Sequence, residues 1–356
     1  MLNTLIKFPI CINDRIPILN LNDFQKEQVN KFLEKVDQGE YNYIENQCLC
    51  GNKDQILDTV ITEKDRYGIP CIILLCKKCG LIRVKKRLDD KSTANFYDNE
   101  YRGIYVGKEF GLQDYFDDQK LRGNKFKILI EKNIGLEEIK SVFEIGCGSG
   151  GILYPFFTKG IRVSGCDFGE KYLKFGQEKG LDLYSGEIDP QKTPKNSQDL
   201  IILSHVLEHI NEPIQFVNDV LDYLKDEKYL LVEVPGIFHK PNGFYNPILY
   251  FQNAHVFQYY YKYFLKIFFK SFGLKVIYGD ERCTFLIQKP KNWKFRKTNL
   301  MSDKNMVTWA NKIEIELKKQ QLLHLLKLNP YYLRASIVSI LEKLGLKQTL
   351  KKLINK

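Results

Sequence analysis

The sequence predicts an open, doubly wound α/β sheet, and three observations carry that expectation. A short apolar strand, Val142 to Ile145, runs straight into Gly146-Cys147-Gly148-Ser149-Gly150-Gly151. A second strand, Arg162 to Cys166, ends on Asp167. A buried strand, Asp199 to Leu203, then delivers Ser204-His205-Val206-Leu207-Glu208-His209-Ile210 at its carboxyl end. Strand, glycine turn, helix, strand, acid is the first half of such a sheet, and ligands sit at the carboxyl ends of its strands. Glycines let the backbone turn tightly and approach a ligand closely, beside a helix amino terminus.

Taken in order, residues 1–45 hold a short apolar piece, Leu5 to Ile12, and a helix starting near Asn22. There Phe24, Val29, Phe32, Leu33 and Val36 fall close to a 3.6 period. Residues 46–90 are a cysteine unit. Cys48 and Cys50 precede Gly51, Cys76 and Cys79 precede Gly80, and strand-like runs lie between, Ile56 to Thr62 and Ile69 to Leu75. Two cysteine pairs at hairpin tips make a tetrahedral thiolate site for a structural zinc, the zinc-ribbon pattern. The first pair is one residue short, which leaves two alternatives, Cys71 as a substitute ligand or four unrelated thiols. Residues 91–290 carry the sheet. They open with Phe96-Tyr97-Asp98-Asn99-Glu100-Tyr101-Arg102, either a helix docked on the core or a lid whose Tyr101 and Arg102 face an anionic substrate group. A helix near Lys120 to Lys132 leads to the glycine strand. Beyond Asp167 come a helix, Glu170 to Lys179, a third strand, Leu181 to Tyr184, and a loop holding Glu187 and Ile188. The helix Asn211 to Leu224, a fifth strand, Tyr229 to Val234, and a helix, Phe257 to Phe272, follow. The hairpin Leu274 to Tyr278 with Cys283 to Gln288 closes the sheet. Residues 291–356 form a basic helical tail.

Charge and cysteine usage bound the function. The net charge is +11, yet Lys289 to Lys356 alone hold 16 Lys and Arg against 4 Asp and Glu, leaving the preceding residues at −1. The basicity belongs to the tail. Its apolar stripes, Leu322, Leu323, Leu325 and Leu326, then Ile337, Val338, Leu341 and Leu344, suit either peripheral contact with an acidic membrane surface or a helical subdomain. No signal peptide or membrane-spanning run is visible, and nine cysteines without an export signal read as metal binding in a cytoplasmic protein.

The glycines alone leave two ligands open. Gly146, Gly148 and Gly151 satisfy the dinucleotide pattern, with Asp167 near the expected distance. Glu144 points the other way. An acid at the strand end sits poorly beside a pyrophosphate and well beside a positively charged amino acid. S-adenosylmethionine has that amino-acid end, a ribose for Asp167 and no phosphate. A second motif, His205 to His209, matches a zinc-protease signature, but Pro213 denies it the long helix that signature needs.

Glu144-x-Gly146-x-Gly148-x-Gly150 resembles motif I of class I S-adenosylmethionine-dependent methyltransferases. With the cysteine pairs, Asp65-Arg66-Tyr67-Gly68, Cys79-Gly80-Leu81-Ile82, FYDNEYR and SHVLEHI, residues 46–290 resemble zinc-ribbon-bearing members of bacterial sugar and surface-glycan pathways. The resemblance implies a Rossmann-like sheet with an N-terminal zinc ribbon and a C-terminal basic helical extension. It implies cofactor contacts at Glu144, Gly146, Gly148, Gly150, Asp167, Phe168, Glu187, Ile188 and Ser204. In related sugar C-methyltransferases a His after the fifth strand is the general base. His255 holds that place here, preceded by Ala254 where those enzymes carry an acid. Methyl transfer to a hydroxyl or carbon acid needs alignment and a base; His205 and His255 are the candidates, with Glu208 as orienter. The expected acceptor is a sugar nucleotide or glycan. An RNA methyltransferase using its ribbon for recognition and a non-catalytic binding module are the alternatives.

Overall fold

A computed structural model of the chain describes residues 5–107, 111–239, 246–294 and 305–328. Asn22 starts the first helix, α1 (Asp23–Asp37), as expected: its side chain accepts from the Gln25 N–H and Gln25 reaches back to its backbone, a reciprocal cap. Strands β1 (Tyr43–Glu45), β2 (Asp58–Lys64), β3 (Pro70–Cys76), β4 (Ile82–Val84) and β5 (Lys86–Leu88) follow, with β1 and β5 paired antiparallel. Helices α2 (Asp90–Asn99), α3 (Tyr101–Val106) and α4 (Leu112–Ile134) lead into β6 (Ser141–Ile145). The helix expected after the glycine turn shrinks to one turn, α5 (Tyr154–Phe157). Then come β7 (Arg162–Asp167), α6 (Glu170–Glu178), β8 (Asp182–Ser185), β9 (Gln198–Ser204), α7 (Pro213–Tyr223) and β10 (Leu224–Glu233). The chain continues through β11 (Phe257–Tyr259), α8 (Lys262–Ser271), β12 (Lys275–Gly279), β13 (Thr284–Gln288) and α9 (Asn305–Leu325).

The main sheet has seven strands in the order β12-β13-β10-β9-β6-β7-β8. β10, β9, β6, β7 and β8 run parallel, and β13 is antiparallel to both β10 and β12. The expected Rossmann-like α/β sheet with a terminal hairpin is therefore present. Parallel strands covered on both faces read as unbroken apolar runs, and Leu200, Ile201, Ile202 and Leu203 of β9 are wholly buried. Strand order reverses between β6 and β9, so the loops after these two strands flank the crevice at the switch point.

One expectation is corrected. Residues 257–259 do not begin a helix; they pair with β4 and complete a four-stranded sheet, β11-β4-β3-β2, around the cysteine unit. The helix starts at Lys262, because pairing with β4 and a bridge from Tyr260 to Gly236 hold the chain extended up to there. Helix α9 lays Met306, Ala310, Ile313 and Leu317 on the same side of the molecule, with Trp309 stacked on Tyr261 and Tyr263. That face is spent on the fold, but it is not the expected first stripe, of which Leu325 and Leu326 are 60% and 55% exposed. The second stripe, Ile337 to Leu344, lies outside the described residues. Among those described, no helix is long and apolar enough to cross a membrane.

Candidate active site

The crevice is built around the turn after β6. Gly146, Gly148 and Gly150 all have φ between +54° and +73°, where a side chain is strained. At Gly148 a Cβ would stand 2.7 Å from the Tyr115 hydroxyl and 2.8 Å from Gln119 Nε2, so a larger residue would push both side chains off the turn. Helix α4 ties the turn down. Gln119 Oε1 accepts from Ser149 N–H and Gly151 N–H, at 3.2 and 3.3 Å, and its amide donates to the Cys147 carbonyl at 3.1 Å. Asp167, at the tip of β7, accepts from Gly148 N–H (3.0 Å) and Gly169 N–H (2.7 Å). Phe168 beside it is 64% exposed. Glu187 and Ile188 follow Gly186, whose N–H donates to the Asp167 carbonyl, so this loop leaves β8 beside the tip of β7.

Glu144 is fully buried, and its Oε2 has no hydrogen-bond partner among the described residues. Burial pushes its carboxyl well above the usual range, with the Arg122 charge opposing. A buried carboxylate oxygen without a donor is costly, and an ammonium group is the complement it lacks. This orphaned acid, a turn with no room for Cβ and an acid at the next strand tip fit S-adenosylmethionine.

Arg102 is not free toward a substrate. Its Nη2 donates to Asp167 Oδ1 at 2.9 Å and its guanidinium lies over the Tyr172 ring at 4.4 Å. Tyr101 belongs to a ladder of tyrosines four residues apart across α2 and α3. Its ring centroid lies 4.5 Å from that of Tyr97, 4.8 Å from Tyr105 and 5.9 Å from His209.

Beyond β9, His205 takes the left-handed conformation, φ +56°, held by its N–H to the Glu233 carbonyl at 2.9 Å. Its ring is 40% exposed; Nδ1 lies 3.0 Å from Glu208 Oε1 and Nε2 lies 3.7 Å from Glu233 Oε2. Ser204 Oγ donates to Glu233 Oε2 (3.1 Å) and accepts from Arg122 Nη1 (3.3 Å). Val206 covers the glycine turn, since a Cβ on Gly146 would meet its methyl at 2.7 Å. His255 is buried, its ring 4.6 Å centroid to centroid from His209 and its nitrogens against the Gln252 amide. Burial lowers the pKa of both rings, that of His255 the further.

Sequence reading missed Tyr115, Gln119, Arg122 and Glu233. The first three fall on one face of α4 at helical spacing, which was a usable signal; Glu233, closing a strand, had none.

The four expected thiols converge. Cys48 Sγ lies 3.4 Å from Cys79 Sγ and 3.5 Å from Cys50 Sγ, and Cys50 lies 3.8 Å from Cys76. Sulfurs at about 2.3 Å from a tetrahedral zinc stand about 3.8 Å apart, so the buried quartet fits that ion. Cys71 is buried on β3 and stands outside the quartet.

Residues 119–278 match a family described as a methyltransferase domain. A trans-aconitate 2-methyltransferase of Mycobacterium tuberculosis is 24% identical over 123 residues, 34% of this chain and 46% of the relative. The chain thus spans just under half the length of the curated relatives it matches. A SAM-dependent methyltransferase from Archaeoglobus fulgidus aligns with 55% of this chain and 86% of its own, at 20% identity and a TM-score of 0.36. One from Aquifex aeolicus aligns with 47% of this chain and 96% of its own, at 18% identity and a TM-score of 0.32.

Proposed function

We propose that this protein, which carries a methyltransferase domain, transfers a methyl group from S-adenosylmethionine to a hydroxyl of a sugar nucleotide or glycan intermediate. The observation that carries the cofactor is Glu144, a buried carboxylate without a donor at the end of β6. Glu144 would hold the amino-acid end, the glycine turn would accommodate its close approach, and Asp167 would take the ribose once Arg102 releases it. Glu187 and Ile188 would flank the adenine. When bound, the cofactor supplies an electrophilic methyl on a sulfonium.

His205 is the better base of the two candidates. It is exposed, it stands beside the turn that Val206 covers, and Glu208 accepts from its Nδ1–H, which leaves Nε2 to take a proton. His255 is enclosed, and removal of its ring from solvent disfavours the protonated form a base must reach. For the acceptor, support comes from the near-neutral charge of the residues before Lys289 and from the tyrosine ladder. An RNA enzyme would be expected to line its cleft with Lys and Arg. The thiolate quartet is read as a structural zinc site, since four ligands leave no open position.

Radiolabelled S-adenosylmethionine, incubated with the protein and separately with total RNA, nucleotide sugars and glycan intermediates, tests the reading. Label is expected in a carbohydrate fraction and absent with Asp167→Ala. Label in RNA alone would overturn the acceptor assignment.

A further inference from the structure

We propose that Glu208, His209 and His255 bind one divalent transition-metal cation beside the methyl-transfer crevice, at a site distinct from the four thiolates. One ligand atom from each lies within 4.8 Å of the other two. Two imidazoles and one carboxylate, with no sulfur, are a donor set for Mn2+, Fe2+ or Zn2+.

Each side chain is prepared for it. Glu208 is wholly buried; its Oε1 is engaged by His205 and its Oε2 has no partner among the described residues. A buried carboxylate oxygen left so is expensive unless a donor or a cation meets it. The His209 Nδ1 lies 3.0 Å from the Ala254 carbonyl. That oxygen can only accept, and with Nδ1–H as its donor Nε2 keeps its lone pair, the arrangement in which a histidine ligates metal while its other nitrogen is anchored. Tyr97 Oη, 2.7 Å from the same Nδ1, holds the ring from α2. The two rings stand nearly perpendicular, at 83°. Against His255 lies the Gln252 amide, itself held by Arg66 Nη2 on its oxygen at 2.8 Å; a cation bound here displaces that amide from the ring. A narrow cleft lined by Tyr97, Asn211 and Asn253 opens beside His209, one of the three ligands.

The purpose assigned to the cation rests on the methyltransferase reading. Three protein ligands leave positions open for acceptor oxygens, and a cation there lowers the pKa of a bound hydroxyl. The O–H bond then breaks with its electron pair kept on oxygen and its proton going to His205 Nε2, while Glu208 bridges the two, one oxygen toward the histidine and one toward the metal. Such a site favours acceptors that chelate, a vicinal diol or a hydroxy acid, over a lone hydroxyl.

The test uses the full-length, zinc-replete protein titrated with Mn2+, which thiolates select against, and reads free Mn2+ by electron paramagnetic resonance. Saturable uptake of about one Mn2+ per chain is expected, weakened at least about tenfold in Glu208→Gln, His209→Gln and His255→Asn. Calorimetry with S-adenosylmethionine, whose residues are others, reports whether each variant is folded. Absence of uptake in protein that binds S-adenosylmethionine, or uptake indifferent to all three substitutions, would overturn the site. Mn2+ uptake by protein that binds no S-adenosylmethionine would sustain it and overturn the methyl-transfer reading instead.

Discussion

Glu144 concentrates the chemistry of the cofactor crevice in one side chain. Its carboxyl is raised well above its ordinary value of 4.5 by burial, so it keeps a proton to higher pH than an exposed acid. An ammonium group beside it reverses the balance, because the ionised form then has its complement. Binding therefore releases a proton. Affinity for S-adenosylmethionine should rise with pH from the ordinary carboxyl value toward the raised one and then level off. Calorimetry in buffers of different ionisation enthalpy measures the release directly, and Glu144→Gln should abolish it while weakening binding by roughly 1.5–3 kcal/mol. A proton count of zero in the native protein would refute the role. Glu144 and Asp167 were legible in the sequence because each is tied by the chain to a glycine or a strand tip. Glu233 was not, since it closes a strand with no motif around it, and Arg122, on a helix more than twenty residues before the glycines, was marked only by its helical spacing with Tyr115 and Gln119.

At the scale of elements, the turn is held by α4 as much as by its own glycines. Gly123 faces the backbone of residue 152, and a Cβ there would stand 2.8 Å from Ile152 Cα. Backbone cannot swing aside as a side chain can, so Gly123→Ala must push α4 and the turn apart. Overpacking of this kind costs about 1–3 kcal/mol, and the displaced Gln119 would loosen its grip on Ser149 and Gly151. The variant should melt earlier and bind S-adenosylmethionine more weakly, with both changes visible in one thermal-shift titration. Unchanged affinity would show that α4 does not set the turn. The parallel strands were readable as apolar runs bounded by turns, and α1 through its cap. By contrast, β11 was hidden: its residues sit in an aromatic run that suits a helix equally well, and only pairing with β4 makes it a strand. Periodicity cannot register a partner more than 170 residues earlier.

The whole molecule turns on that pairing. The cysteine unit reads as a module in sequence, yet β11, which comes after the last parallel strand, is the edge of its sheet. Helix α9 adds a second tie, for Ala310 and Ile313 close on Gly80, the glycine of the second cysteine turn, where a Cβ would stand 3.0–3.2 Å from them and α9 would have to give way. Tyr261, between β11 and α8, donates through its hydroxyl to the Cys79 carbonyl and carries Trp309 on its ring. The quartet is thus clamped by segments before and after the methyltransferase sheet, and its loss should be felt across both. Zinc bound by four thiolates contributes folding free energy directly. We therefore expect about one zinc per chain by elemental analysis, and a chelator should lower the melting temperature of the full chain in a single calorimetric transition. If the cysteine unit were an independent module, chelation would instead split off an early transition and leave the later one where it was; that result would mean the shared strand and the α9 clamp transmit nothing.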